Sequence, residues 1–253
     1  MIENTILPPV VLIVPCFNEA KRLSSLAFLD LVDNMKSLSL LFVDDGSSDQ
    51  TLSTLRALAT LRPNHIEVMA LPQNQGKAEA VRQGMLHALA GPADIVGFVD
   101  ADLSTPPTEL RRLTNLVRSH PYDVLMGSRV QLMGRLIERR SLRHYLGRIF
   151  ATLASLSLRL PVYDTQCGSK FFRRTHALTS ALAQPFTSRW AFDVELLARL
   201  LHPPRGTAPI PIDQIWEEPL LSWTDVAGSK LKLWTAVKTA FELLRMSWKL
   251  RRR

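Results

Sequence analysis

The first half of the chain alternates short apolar runs with stretches of helical spacing, and few architectures accept that pattern. Val10 to Val14 reads as a buried strand ending at Pro15, Ala20 to Lys36 as a helix, and Leu40 to Val43 as a second strand. Thr51 to Leu61, Lys77 to Ala90 and Pro106 to Ser119 read as further helices. Ile66 to Leu71, Ile95 to Val99 and Val124 to Gly127 complete a set of five strands. Proline suits the opening of the Pro106 helix, where its missing N–H has no partner to lose. Strands that are apolar throughout are covered on both faces. The expectation is an α/β fold, a mostly parallel Rossmann-like open sheet with helices on both faces.

Polar residues gather where these strands end. Asn18 and Glu19 follow the first strand, Asp44 and Asp45 the second, Asp100 and Asp102 the fourth, and Arg129 the fifth. Open α/β sheets bind ligands outside the carboxyl ends of their strands, so one shared site is expected there. Gly76-Lys77 matches part of a phosphate loop, but Leu71 stands where the upstream glycine belongs and Ala78 follows the lysine. No G-x-G-x-x-G is present. A P-loop NTPase and the usual dinucleotide fingerprint are both disfavoured.

Asp100 and Asp102 are the sharpest chemical signal. Side chains two apart on a strand point the same way, so both carboxylates could reach one cation. Hard cations such as Mg2+ or Mn2+ take carboxylate and diphosphate oxygens together. The structural alternative is a solvated turn, with Ser104 or Thr105 capping the next helix. Asp44-Asp45-Gly46-Ser47 ends the second strand in the same style. There an acid can accept hydrogen bonds from a ribose or base, or Ser48 or Asp49 can simply cap the following helix. Glu19 is expected beside this pair.

The formal charge is +8, and it is concentrated. Six arginines against Glu138 lie between 129 and 148, and eight basic residues against Glu242 between 230 and 253, so the remainder is mildly acidic. Patches of this kind suit an anionic partner: phosphate, nucleic acid or anionic lipid. All five tryptophans fall in the last quarter, and apolar residues at 233, 234, 237, 241, 244 and 248 make a helical stripe. A basic amphipathic helix at an anionic membrane surface is expected over 230–253, against docking of the stripe on the core. The N-terminal apolar run has no basic lead and is broken by prolines, so no signal peptide is expected. The run from Ile149 to Leu158 is shorter than the roughly 20 residues a spanning helix needs. Two cysteines, Cys16 and Cys167, cannot form a disulfide framework, and no histidine shows metal spacing.

Taken together, Val14-Pro15-Cys16-Phe17-Asn18-Glu19, Val43-Asp44-Asp45-Gly46-Ser47-Ser48-Asp49, Asn74-Gln75-Gly76-Lys77-Ala78 and Asp100-Ala101-Asp102-Leu103-Ser104 resemble family 2 glycosyltransferases of the GT-A fold. Asp164-Thr165-Gln166-Cys167-Gly168-Ser169-Lys170-Phe171-Phe172 and Arg189-Trp190-Ala191-Phe192-Asp193-Val194-Glu195-Leu196 are similar to the dolichyl-phosphate β-glucosyltransferase branch. Gly228-Ser229-Lys230-Leu231 resembles a motif shared with dolichyl-phosphate mannosyltransferases. The resemblance runs from about residue 10 to 235. It implies a glycosyltransferase domain over 1–229, with a nucleotide-sugar half at about 1–130 and an acceptor half at about 131–229, followed by the 230–253 helix and tail.

The resemblance also implies roles. Pro15, Phe17, Glu19, Val43 and Asp45 fall where the family holds base and ribose. Asp100, Ala101 and Asp102 fall on the metal and diphosphate motif, with Asp100 and Asp102 as metal ligands and Asp102 also catalytic. Arg129 and Lys230 fall where basic residues hold phosphates of donor or acceptor. Asp164 is the candidate base or acceptor-orienting carboxylate. Lys170 is read as a surface lysine rather than a phosphate contact. Asp193 and Glu195 are read either as orienting Arg189 or Trp190 or as helix-surface acids. Ser169 departs from the family, which usually has a bulky aromatic there. The anchors seen in relatives, N-terminal or C-terminal, are not expected here.

The implied reaction is inverting transfer of a hexose, glucose from UDP-glucose first, to a polyprenyl or dolichyl phosphate. A peripheral enzyme on the cytoplasmic face of the membrane is expected, dependent on Mg2+ or Mn2+. Mannose from GDP-mannose, or a hydroxyl acceptor, is the alternative within enzymes. A nucleic-acid-binding protein is disfavoured because the strand-end acids would face a polyanion. A non-catalytic membrane scaffold is disfavoured by the intact acidic pair.

Overall fold

The computed structural model describes residues 7–138, 151–152, 154–156, 160–189 and 191–226. The expected helix and tail over 230–253, most of the 129–148 basic segment beyond Glu138, Trp190 and Lys230 lie outside the described residues.

The apolar runs form strands β1 (Val10–Cys16), β2 (Leu38–Asp44), β3 (Ile66–Ala70), β4 (Ile95–Phe98) and β5 (Val124–Ser128). Two more strands complete the main sheet, β7 (Lys170–Arg173) and β8 (Ile215–Pro219), while β6 (Leu136–Glu138) pairs with β9 (Ser222–Thr224) in a separate parallel ribbon. The seven-stranded sheet runs β3-β2-β1-β4-β7-β5-β8. Every neighbouring pair is parallel except those of β7, which runs antiparallel between β4 and β5. A strand from beyond residue 130 thus closes the gap between two strands from before it. The donor and acceptor stretches expected from the sequence share one sheet.

The sheet is flanked by helices α1 (Ser25–Asp33), α2 (Thr51–Leu61), α3 (Lys77–Ala90), α4 (Pro107–Ser119), α5 (His176–Leu182) and α6 (Phe192–Leu201). One core layer contains Phe28 and Leu31 of α1, Leu55 and Leu58 of α2, and Leu110, Leu113 and Val117 of α4. The other contains the buried residues of α3, α5 and α6. Adjacent residues divide between them, Phe171 in the first layer and Phe172 in the second, as strand alternation requires. Small residues along α3 let it lie close to the sheet.

Two helix starts differ from expectation. The first helix begins at Ser25, not Ala20, because the Glu19 carbonyl accepts the N–H groups of Arg22 and Leu23 in a turn, after Asn18 at φ +53°. Pro106 is extended and precedes α4, with Pro107 in the first helical turn. A proline disfavours the helical conformation at the residue before it, and Pro107 does this to Pro106. Neither Ser104 nor Thr105 caps α4, whereas at α2 the Asp49 carboxylate accepts the N–H of Thr51, the first helical residue, at 2.9 Å.

Candidate active site

The carboxyl ends of β1 and β2 are laced together. Asp45 N–H donates to the Cys16 carbonyl at 2.8 Å, Glu19 N–H to Thr51 Oγ1 at 2.8 Å, and Ser48 N–H to Asn18 Oδ1 at 2.9 Å. Pro15 and Phe17 are half-buried on this rim. Val43 points into the core, fully buried, and makes the floor rather than the wall of the site.

Asp45 has a local structural task. Its carboxylate accepts the backbone N–H groups of Gln75 (2.7 Å) and Gly76 (2.8 Å) and the Asn74 side-chain amide (3.0 Å). It therefore ties the loop before α3 to the end of β2. Burial raises its pKa, against the pull of those N–H groups and of Arg189. Gly46, at φ +66°, completes the joint, since a Cβ there would stand 2.6 Å from the Asn74 nitrogen. By contrast, Asp44 Oδ1 and Glu19 Oε2 are buried with no hydrogen-bond partner among the described residues. The other oxygens of these acids accept from Ser47 N–H and Arg22. An orphaned buried acceptor is costly unless a donor arrives.

Asp100 and Asp102 follow β4, as expected, but they lie in a turn and not in the side-by-side geometry of a strand. β4 ends at Phe98, and Leu103, at φ +52°, bends the chain so that its N–H meets the Asp100 carbonyl. Asp102 Oδ1 accepts from the backbone and hydroxyl of Ser104, while Ala101 is buried between the two acids. Asp100 Oδ1 pairs with the Lys77 ammonium, at the first turn of α3. Asp100 Oδ2 rests on Gly168, where a Cβ would lie 1.9 Å away. Burial is the largest single influence on Asp100 and pushes its pKa up, but Lys77, Arg129 and Lys170 together hold it below the ordinary carboxylate value.

Arg129, just past β5, is held by Asp164 through two parallel hydrogen bonds of 2.7 and 2.8 Å, and its backbone N–H adds a third at 3.0 Å. Its guanidinium lies 5.2 Å from the Trp223 ring centre. Burial works to lower its pKa, and Asp164 outweighs that, so it stays cationic. Asp164 is itself fixed, its N–H donating to Glu217 at 2.6 Å. Both carboxylate oxygens of Asp164 accept from Arg129 and so orient its guanidinium.

Lys170 is not a surface lysine. It is wholly buried, bonded to the Cys167 carbonyl at 2.5 Å and paired with Asp193 at 3.0 Å, 5.3 Å from the Phe98 ring centre. Asp193 and Glu195 are buried too, not helix-surface acids. Burial raises the Asp193 pKa, and Lys170 and Lys77 oppose it. Glu195 accepts the N–H groups of Thr187 and Ser188 and so braces the loop ahead of Arg189, which passes over Gly76. Ser169 is buried and donates to Thr105 Oγ1 at 2.8 Å, a polar link in place of an aromatic ring. Cys167 is buried with its thiol pushed up to about 11 by burial, so it packs rather than attacks.

Among the described residues no three His, Cys, Asp or Glu side chains gather as a metal cage. Asp100 and Asp102 offer two carboxylates, half-exposed, with a lysine ammonium already drawn to one. This donor set fits a hard divalent cation that completes its shell with substrate oxygens and water.

A parallel sheet interrupted by one antiparallel strand, with acids and ion-paired basic side chains at its carboxyl ends, is the GT-A form of the α/β glycosyltransferases. Crystal structures of glucosyl-3-phosphoglycerate synthase from Mycobacterium tuberculosis share that fold. One holding UDP superposes with a TM-score of 0.67 at 19% identity, over 96% of this chain and 80% of that one. Residues 11–179 match the family described as Glycosyl transferase family 2. The chain belongs to that family, and it is a glycosyltransferase. It is 32% identical to the dolichyl-phosphate beta-glucosyltransferase of Drosophila melanogaster, over 93% of this chain and 73% of that protein. The human enzyme of the same name is 30% identical, over 92% and 72%.

Proposed function

We propose that the chain transfers glucose from UDP-glucose to a dolichyl or polyprenyl phosphate, with inversion at the anomeric carbon. The observation that carries this reading is the half-exposed Asp100/Asp102 turn framed by Lys77 and Arg129, in a chain about 30% identical to dolichyl-phosphate beta-glucosyltransferases over most of its length. An ionised lipid phosphate oxygen attacks the anomeric carbon, the bond from that carbon to the donor's phosphate oxygen breaks, and UDP leaves with the electron pair. The attacking phosphate is already an anion near neutral pH, so no strong general base is required. This agrees with Asp164 being occupied by Arg129.

Catalysis then rests on placement and charge. Asp44 and Glu19, with their orphaned oxygens, accept from the base or ribose, and Pro15 and Phe17 form the apolar rim. Asp45 sets the 74–76 loop, and with it Lys77. Arg129, held rigid by Asp164 and Trp223, faces phosphate charge. Asp100 and Asp102 would hold Mg2+ or Mn2+, which when bound neutralises the leaving diphosphate. Lys230 is proposed as a further phosphate contact.

The same reading places the enzyme on the cytoplasmic face of a membrane. No helix among the described residues is long and apolar enough to cross one. Leu132, Met133 and Leu136 are exposed together in a turn and strand inside the arginine-rich segment. Apolar tips with basic neighbours suit an anionic lipid surface.

The test offers labelled UDP-glucose or GDP-mannose with polyprenyl phosphate, with and without Mg2+ or Mn2+, and counts label in extracted lipid. Glucose transfer lost in Asp102→Asn is the expected result. Mannose transfer would overturn the donor, and no lipid product from either would overturn the acceptor.

A further inference from the structure

We propose that Lys77 occupies the cation's place on Asp100 until the donor arrives, and so makes cation binding and donor binding depend on one another. The proposal rests on the reading of this site as one for a nucleoside diphosphate sugar and goes beyond it.

Two lysine–aspartate pairs lie in this region, and they differ in kind. Lys170–Asp193 is sealed, with the lysine side chain 0% and the aspartate 8% exposed. Lys77–Asp100 is open, at 39% and 36%. An open pair can exchange partners, whereas a sealed one cannot without leaving a buried charge unpaired. Asp100 Oδ2 is pinned against Gly168, so Oδ1 is the oxygen left to bind a cation, and Lys77 holds it.

The charges around Lys77 make the exchange directional. Asp100, Asp193 and Asp102 all act on it. Lys170 answers Asp193, and Arg129 is committed to Asp164. Lys77 is therefore the cation in direct contact with Asp100, with Arg129 and Lys170 acting from further away. While it stays, a divalent ion meets a half-neutralised site and must displace an ammonium from its own ligand. A diphosphate entering with the ion supplies Lys77 with new oxygens at no cost in charge. The flexible stem of lysine permits that swing, as a rigid guanidinium fork would not. Each ligand thereby improves the site for the other, which is positive linkage.

The test is Mn2+ titration of the full chain, with free Mn2+ read by electron paramagnetic resonance, alone and with UDP. Lys77→Met is expected to bind Mn2+ alone about tenfold more tightly, because a like charge has been removed from the site. The same variant, saturated with Mn2+, is expected to bind UDP about tenfold more weakly for want of a charged partner. Opposite shifts in two affinities are not what a merely structural loss produces. Lys77→Arg, which keeps the charge, should retain weak donor-free Mn2+ binding. Lys77→Gln serves if the Met variant fails to fold. Donor-free Mn2+ affinity that is unchanged or lower in the neutral variants overturns the proposal while joint UDP and Mn2+ binding by the unaltered chain leaves the functional reading standing. No joint binding by the unaltered chain removes both.

Discussion

Replacing Lys170 by methionine removes a buried charge with little change in length. Asp193 is then left in the interior with its ion-pair partner gone, and the Cys167 carbonyl loses the ammonium that bonds to it. Breaking a buried pair from one side costs about 3–5 kcal/mol. For a chain of 253 residues each kcal/mol lowers Tm by about 2–4 °C. The expected fall is therefore about 6–20 °C, measured by circular dichroism on heating. The second half of the experiment separates charge from shape. Lys170→Met combined with Asp193→Leu removes both charges, and apolar replacement of a buried pair is often neutral. The double variant should recover at least half of the lost stability. A fall under about 2 °C in the single variant, or a double variant no better than the single, would refute the argument that this pair is held by mutual charge in a dry interior.

Four other outcomes are expected. Gly168→Ala must push Asp100 aside, since its Cβ would lie 1.9 Å from Oδ2; misplacement by about 1 Å costs on the order of 10²-fold in kcat, and a loss under tenfold would refute it. Asp45→Ala frees the Gln75 and Gly76 N–H groups, so amide exchange at 74–78 should quicken and the KM for the donor rise; unchanged exchange speaks against the clamp. Cys167 stays protonated below about 11, and burial also raises Cys16, so neither thiol should react with a disulfide reagent at pH 8 until denaturant is added, when both should; rapid native labelling contradicts this. Met133→Asp should weaken co-sedimentation with anionic vesicles without lowering Tm, since the side chain is fully exposed; equal sedimentation removes the turn from the membrane contact.

The alternation of strands and helices is legible because it rests on local composition. The α2 and α3 bounds agree with the spacing, and the strand-end acids and Arg129 do converge on one rim. What the sequence does not disclose depends on distant contacts. Asp45 looks like a ligand acid until the 74–76 loop is seen to return beneath it. Lys77 sits in a failed phosphate loop, and only the fold brings it to Asp100. Lysine is among the residues least often buried, so nothing local marks Lys170 as interior, and its partner lies on another element. A sign was available: Lys170 leads directly into Phe171 and Phe172, an apolar pair too short to announce a strand.

The placement of β7 has a consequence during synthesis. β4 pairs with β1 on one side and with β7 on the other, so its second edge stays open until residues 170–173 leave the ribosome. At about 5–20 residues per second that wait is roughly 4 to 14 s. For that interval the nascent chain carries a wholly apolar strand with one edge unpaired in the middle of its future sheet, a template for any neighbouring chain. Slow translation between β5 and β7, or a stop codon there, would leave the defect in place, so a protein shortened to its first 130 residues should accumulate as aggregate rather than as a working half.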